Sequence, residues 1–332
     1  MFVISRNTAF TCRNKLIDTK QIGRELGVQY VLEGSVRRSA DEIRINVQII
    51  DAETDAHLWA ERFNYDVANL FTLQDEITSR IAVALDLELV DVEAARPIEH
   101  PDARDYILRG RAARLKPPSR ESRAEAIALF EQALALDPQS VEAQSWLAIA
   151  LMARVLDNMA GTAAANISRA ENVAEQALVA SPRSWLAHFA KGQVFRAQDR
   201  YEEAALEYET VIALNRNWAD AYSHVGWCKS MTGSLEALIP AQEKACNAST
   251  LHAIVLTFLA SAYALEGRTE RAAVVLAEAC KLSRDGRCSS IARLKADGIS
   301  WGSSGYWGTP TIRTLFEATY FAGLRKAGMP EE

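Results

Sequence analysis

The side chains able to do chemistry are scattered along this chain. Cys12, Cys228, Cys246, Cys280 and Cys288 fall at irregular intervals with no C-x-x-C among them. Neither a zinc site nor a thioredoxin-type pair is spelled out, and they read as reduced, small side chains in a reducing compartment. His57, His100, His188, His224 and His252 form no H-E-x-x-H. Asp75 and Glu76 are adjacent acids, but they open an expected helix, where the helix dipole already favours negative charge. No G-x-x-x-x-G-K-[ST] or G-x-G-x-x-G cradle for phosphate is present. Gly298, Gly302, Gly305 and Gly308 interleave with Trp301, Tyr306 and Trp307. With no strand before them and no lysine among them, they read as a flexible aromatic linker. The expectation is a chain with no catalytic residues, no cofactor and no metal.

Bulk properties narrow the class. The chain has 332 residues, 49% hydrophobic and 24% charged, with a net charge of −6. That excludes disorder, suggests about two domains and offers no global field to attract nucleic acid. Basic residues do gather early, seven Lys/Arg against three Asp/Glu in 1–38, but residues 39–97 reverse this with four against thirteen. Arg37 and Arg38 are read as a solvated strand end. The longest weakly polar run, Ala253 to Leu265, is 13 residues, short of the ~20 that span a membrane. Met1 to Arg6 is too short for a signal core. A soluble, cytoplasmic protein is expected.

Residues 1–97 read as a β-α-β-β-β-α module. Phe2-Val3-Ile4 is a short strand. Asp18 with Gln21 three residues on is a capping-box signature, and Gly27 closes that helix. Gln29–Arg38 places Tyr30, Leu32, Gly34 and Val36 on one face. Glu42–Ile50 sets Ile43, Ile45, Val47 and Ile49 against Arg44, Asn46 and Gln48. Asp51–Asp55 is a polar turn, and His57–Tyr65 carries Trp59, Glu61 and Phe63 on one side. Leu73, Ile77, Ile81 and Leu85 then fall on a helical stripe within 70–90.

Pro97 and Pro101 end that helix, and Asp102 is a natural N-cap for the next. Residues 98–118 are read as linker and first helix. Beyond them the chain is alanine-rich and repeats itself. Ala126, Phe130, Ala133 and Pro138 lie at offsets 0, +4, +7 and +12. The same offsets give Ala170, Ala174, Ala177 and Pro182; Ala204, Tyr208, Val211 and Arg216; Leu238, Gln242, Ala245 and Thr250; and Ala272, Leu276, Ala279 and Arg284. The anchors are 44, 34, 34 and 34 residues apart. A fixed period of this length is the mark of a solenoid. The longer first interval implies ten extra residues around 157–166, expected in a turn between helices. Pro240 departs from the pattern, but it falls in the first turn of its helix, where proline is tolerated.

The period and the Ala-x3-aromatic-x2-Ala-x4-Pro pattern resemble the tetratricopeptide repeat, whose unit is a helix pair. Gly192 with Phe195, and Gly226, sit where that family places small and aromatic residues in its first helix. The resemblance implies about five helix pairs over 119–297, then the Gly/aromatic linker and a C-terminal helix from Pro310 to Ala327 within 298–332. The fold class expected is thus α+β, a truncated α/β module followed by an all-α solenoid.

A second resemblance covers the start of the chain. Phe2 to Asn7, Gln21 to Val28, Tyr30 to Arg37, Asp51 to Thr54, His57 to Phe63 and Leu73 to Ile77 are similar to the TolB amino-terminal-like module of bacterial regulators. That module commonly follows a class III adenylate/guanylate cyclase domain or a winged-helix domain and precedes tetratricopeptide repeats. Gly323 to Pro330 resembles the closing segment of the cyclase-linked members. The family module has an earlier strand and helix, so the resemblance implies a shortened member or a fragment, with residues 1–97 only marginally stable alone.

What remains for function is surface. The resemblance implies a protein or peptide partner held in a groove lined by the first helix of each pair. Counted from Trp185 and Ala219, the inward positions are Phe189, Gln193 and Arg196, then Ser223, Trp227 and Met231, with Trp227 either the anchor for a partner or ordinary core between repeats. The function expected is a non-catalytic interaction and regulatory scaffold. The alternatives are the regulatory end of a nucleotide cyclase and the sensor part of a winged-helix regulator, with the cyclase or DNA-binding output domain belonging to a longer relative. No direct nucleic-acid contact and no membrane span are expected.

Overall fold

In the computed structural model the described residues are 4–9, 18–39, 42–66, 77–78, 81, 89–90, 92–95, 101–117, 119–157, 159, 161, 163–232, 238–248, 253–283, 286–296 and 310–332. The chain divides into two compact units, Met1–Leu89 and Val90–Glu332.

The first unit holds α1 (Arg6–Ala9), α2 (Thr19–Leu26), β1 (Tyr30–Arg38), β2 (Glu42–Asp51) and β3 (His57–Asp66). Asp18 starts α2 by accepting from the Gln21 amide at 2.6 Å, and Gly27 ends it in the left-handed region at φ 63°. The strands form an antiparallel sheet in the order β1-β2-β3. Leu32, Ile49 and Trp59 align across it, as do Val36, Ile45 and Phe63. The other face is a polar ladder, with Asn46 donating to Ser35 and Arg62 donating to Asn46. Asp51 shapes the β2–β3 turn by accepting from the amides of Glu53 and Thr54 at 2.8 and 2.9 Å. On the outer strand β1, Leu32 and Val36 stay exposed. Of the expected first strand, Ile4 lies outside any strand, and Met1–Val3 fall outside the described residues, as does most of the expected helix over 70–90.

The second unit is helical. Asp102 opens α3 (Ala103–Leu115) through a reciprocal box with Asp105. Then come α4 (Arg120–Leu136), α5 (Val141–Leu156), α6 (Ala163–Ala180), α7 (Trp185–Ala197), α8 (Tyr201–Leu214), α9 (Ala219–Met231), α10 (Leu238–Ala248), α11 (Ala253–Leu265), α12 (Thr269–Leu282) and α13 (Ile291–Ala296). Neighbours pack as pairs: α3/α4, α5/α6, α7/α8, α9/α10 and α11/α12. The first pair therefore begins at Ala103, inside the segment expected to be linker and first helix.

The anchors explain the pairing. Ala126, Phe130, Ala133, Ala170, Ala174, Ala177, Ala204, Tyr208, Val211, Ala272 and Ala279 are sealed from solvent, and Leu238, Gln242, Ala245 and Leu276 are also buried. Small residues on the second helix let the first approach, and the rings fill the space left by glycines across the pair. A Cβ on Gly110 would meet the Phe130 ring at 2.6 Å, and one on Gly192 would meet Tyr208 at 2.6 Å. The ten extra residues of the second pair are spread out. α5 and α6 have 16 and 18 residues against 13 and 14 for α7 and α8, so only part of the excess lies in the turn.

The C-terminal helix, α14, runs Pro310–Phe316, a π turn over Glu317–Phe321, and Ala322–Lys326. Pro310 takes the first helical position, where its missing N–H costs nothing. No described helix is long and apolar enough to cross a membrane.

Candidate partner-binding face

Phe189, Gln193 and Arg196 share one side of α7, at i, i+4 and i+7, and meet His224 and Trp227 on α9. Arg196 Nη1 donates to Gln193 Oε1 and to His224 Nε2, both at 3.0 Å. An arginine can only donate, so Nε2 accepts and the imidazole is neutral with its proton on Nδ1. Burial, with help from the Arg196 charge, pushes His224 well below the ordinary imidazole range. The His224 ring stacks on Phe189 at 5.5 Å and meets Tyr208 edge-on at 5.0 Å. The Arg196 guanidinium lies 4.6 Å over the Trp227 ring, a cation–π contact in a desolvated setting. Cys228 is beside them, its thiol pushed up to about 12 by burial.

Trp227 also meets Tyr201 edge-on at 5.5 Å and Phe316 of α14 at 6.0 Å. A narrow cleft remains there, lined by Trp227, Met231, Leu238, Phe258, Phe316 and Thr319 among others. Ser223 faces elsewhere, toward Gln242, whose Nε2 donates to the Ser223 carbonyl at 3.4 Å.

The six residues expected to line a groove therefore separate. Phe189, Gln193, Arg196 and Trp227 are 2%, 0%, 1% and 5% exposed and form one buried cluster. None of these four is open to solvent here. Met231 borders the cleft, and Ser223 is half-buried on another contact. The reason is that α8 and α14 pack over the sides of α7 and α9 that helical spacing alone would leave open. Sequence reasoning passed over His224, Tyr201, Phe316 and Tyr320. The i, i+4 pair Phe316 and Tyr320 was the available signal, an apolar stripe on a helix needing something to cover. Among the described residues no group of three or more His, Cys, Asp or Glu is placed to hold a metal ion.

Residues 119–156 and 163–221 match the tetratricopeptide repeat family model. They span α4 through the start of α9 and take in the Gly192–Tyr208 contact and the buried Ala126, Ala133, Ala170, Ala174, Ala177 and Ala204. These helix pairs are tetratricopeptide repeats. The match lies wholly in the helical unit and lends nothing to the TolB-like resemblance of residues 1–97. A Rhizobium meliloti (strain 1021) protein that carries the name adenylate cyclase 3 is 35% identical over 208 residues, which cover 61% of this chain and 35% of that protein. The chain thus spans about a third of the length of this relative. Among solved structures, a thermophilic tetratricopeptide protein of Thermus thermophilus aligns with TM-score 0.46 at 16% identity, over 60% of this chain and 98% of that one. Pseudomonas aeruginosa pilF aligns with TM-score 0.45 at 19% identity, over 68% and 87%.

Proposed function

We propose that this chain is a non-catalytic scaffold of the cytoplasm, binding a protein segment through its repeats. The observation that carries this reading is the repeat array itself. Among the described residues five helix pairs are joined by a buried spine of alanines and rings. Such arrays spread surface along one axis and use it to hold partners. An aromatic face between α9 and α11 that accepts a helix supports it further.

A second reading is favoured by one observation, the 35% identity to a protein named as an adenylate cyclase. On this reading the chain is the regulatory region of a cyclase signalling protein, and its partner is the output domain. Two experiments test the pair. Purified chain incubated with ATP and Mg²⁺ or Mn²⁺ is expected to yield no cyclic AMP, and measurable product overturns the non-catalytic reading. Titration calorimetry of the chain against the remaining part of the Rhizobium meliloti relative is expected to show a complex, and no heat removes the regulatory reading.

A further inference from the structure

β1 is an outer strand of its sheet. It is bonded to β2 along one side, and among the described residues no strand pairs with the other. An open edge offers a row of backbone N–H and C=O groups to any strand that fits, and native edges are commonly blunted by shortness, proline, a bulge or a covering element. β1 has none of these. It runs nine residues without proline, and Leu32 to Arg38 are all exposed. Its register with β2 is unbroken from Tyr30 to Arg38, whereas the irregularity in the sheet falls at Ile49 and Ile50, on the β3 side.

The apolar face is covered unevenly. Leu32 lies in one row with Ile49, and Val36 in one row with Phe63. Ile49 and Phe63 are sealed, at 0% and 2% exposed, yet Leu32 and Val36 are 49% and 68% exposed. The face is closed at β2 and β3 and left open at β1.

What fits the edge can be read from β1 itself. Turned about a two-fold axis through Gly34, a second β1 lies antiparallel in the same sheet, and every residue from Tyr30 to Arg38 finds a partner. Leu32 then stands opposite Val36 of the second copy, and Val36 opposite its Leu32. On the other face Glu33 stands opposite Ser35 and diagonal to Arg37, a separation that long side chains bridge. The symmetry makes this diagonal twice. Within one chain Arg37 faces Arg44 across to β2, a like-charge pair that Glu33 of the second copy offsets. Other registers fit less well. A slip of one residue turns the apolar face of one copy onto the polar face of the other. A slip of two sets Glu33 against Glu33 or, in the other direction, Leu32 against Arg38.

We propose that two copies of this chain associate through β1, joining their three-stranded sheets edge to edge into one continuous sheet. The strand order is β3-β2-β1 followed by β1-β2-β3 of the second copy. The pairing satisfies the open backbone groups of both β1 strands and gives Leu32 and Val36 apolar neighbours. A contact of this self-complementary kind closes on itself as a dimer. It is small beside an obligate interface, so the dimer is a reversible one. The inference does not depend on the scaffold reading, which stands if the dimer fails.

The test is sedimentation velocity of the whole chain from about 1 to 100 μM, the range in which a contact of this size dissociates. A rise with concentration toward twice the monomer mass is expected, and a chain that stays monomeric throughout overturns the proposal. Val36→Lys sets an ammonium against Leu32 of the second copy and is expected to weaken association about tenfold or more. Glu33→Arg and Arg37→Glu each turn both diagonals repulsive and are each expected to weaken it several-fold. Mixed in equal amounts, these two charge variants are expected to associate again, since each then meets the opposite charge. That rescue reads contact between copies and not the folding of either variant. Association indifferent to all three variants, or a mixture no stronger than its components, overturns the proposal. Should Val36→Lys lose its sheet, hydrogen exchange on the wild type decides. Amides within Val31–Arg37 that slow as concentration rises support the pairing, and exchange independent of concentration overturns it.

Discussion

Arg123 and Asp157, 34 residues apart, form a sealed ion pair. Arg123 Nε donates to Asp157 Oδ2 at 2.9 Å, and Nη2 lies 2.8 Å from the same oxygen. The side chains are 2% and 5% exposed. The pair ties α4, the second helix of the first repeat, to the residue that ends α5, the first helix of the next. Desolvation outweighs the attraction of Arg123, so Asp157 titrates above the usual carboxylate range.

Removing one partner leaves the other buried and uncompensated. Arg123→Met is expected to cost about 3–5 kcal/mol of unfolding free energy. Arg123→Met with Asp157→Leu is expected to recover most of that, because an apolar pair avoids the desolvation cost of both ions. Urea unfolding of the two single variants and the double variant measures the coupling. A double variant as unstable as Arg123→Met alone contradicts this account.

The Gly192–Tyr208 contact makes a steric prediction. Alanine is the better helix former by about 1 kcal/mol, yet a Cβ at 192 would meet Tyr208 Cε1 at 2.6 Å. The ring is fully buried and has nowhere to move. Overpacking of this kind costs about 1–3 kcal/mol, so Gly192→Val is expected to lose about 2 kcal/mol. Gly161, with open space around its would-be Cβ, is the control, and Gly161→Ala is expected to change stability by less than ~0.5 kcal/mol. Thermal unfolding of both variants decides.

His224 makes the fold sensitive to acid. Burial first, and Arg196 second, hold it well below its ordinary value of 6.5. In the unfolded chain it protonates near that value, while in the folded chain it stays neutral. The folded state is therefore unaffected above about pH 7 and loses stability as pH falls below the unfolded value. The loss approaches ~1.4 kcal/mol per pH unit for one such group. His224→Gln keeps an acceptor for Arg196 without the titration. It is expected to show a shallower decline between pH 7 and 5, and subtracting it from the wild type cancels the carboxylates. Parallel slopes sink the assignment.

The cysteines should differ in reactivity. Cys228 and Cys288 are fully buried, whereas Cys280 is exposed. The thiolate is the reactive form, and burial holds Cys228 up at about 12. Iodoacetamide followed by mass spectrometry is expected to label Cys280 at least tenfold faster than Cys228 or Cys288. Labelling of Cys228 at a similar rate in the native chain would contradict its burial.

Much of the fold was legible because it is local or periodic. Asp18, Gly27 and Asp102 act on neighbouring amides, so their roles can be read within four residues. The alternation of Ile43, Ile45, Val47 and Ile49 declares one face of a strand, and the 34-residue spacing of Ala170, Ala204, Leu238 and Ala272 declares stacked helix pairs, with small residues at most of these positions letting the helices approach. Even the departure at Pro240 was legible, because proline in a first turn breaks no bond.

The sequence by itself determined which residues of each helix turn the same way. It placed Phe189, Gln193 and Arg196 on one side of α7, and Trp227 with Met231 on α9. Only the tertiary structure decided what covers those sides. Helical periodicity gives a direction relative to a helix's own axis and carries no information about a segment that returns from far along the chain. Thr257 meets Tyr320 across 63 residues, and the same return places Phe316 on Trp227. The side that spacing alone left open is therefore occupied, and Arg196 and Gln193 can be buried because His224, Phe189 and Trp227 arrive from α7 and α9 to satisfy and surround them.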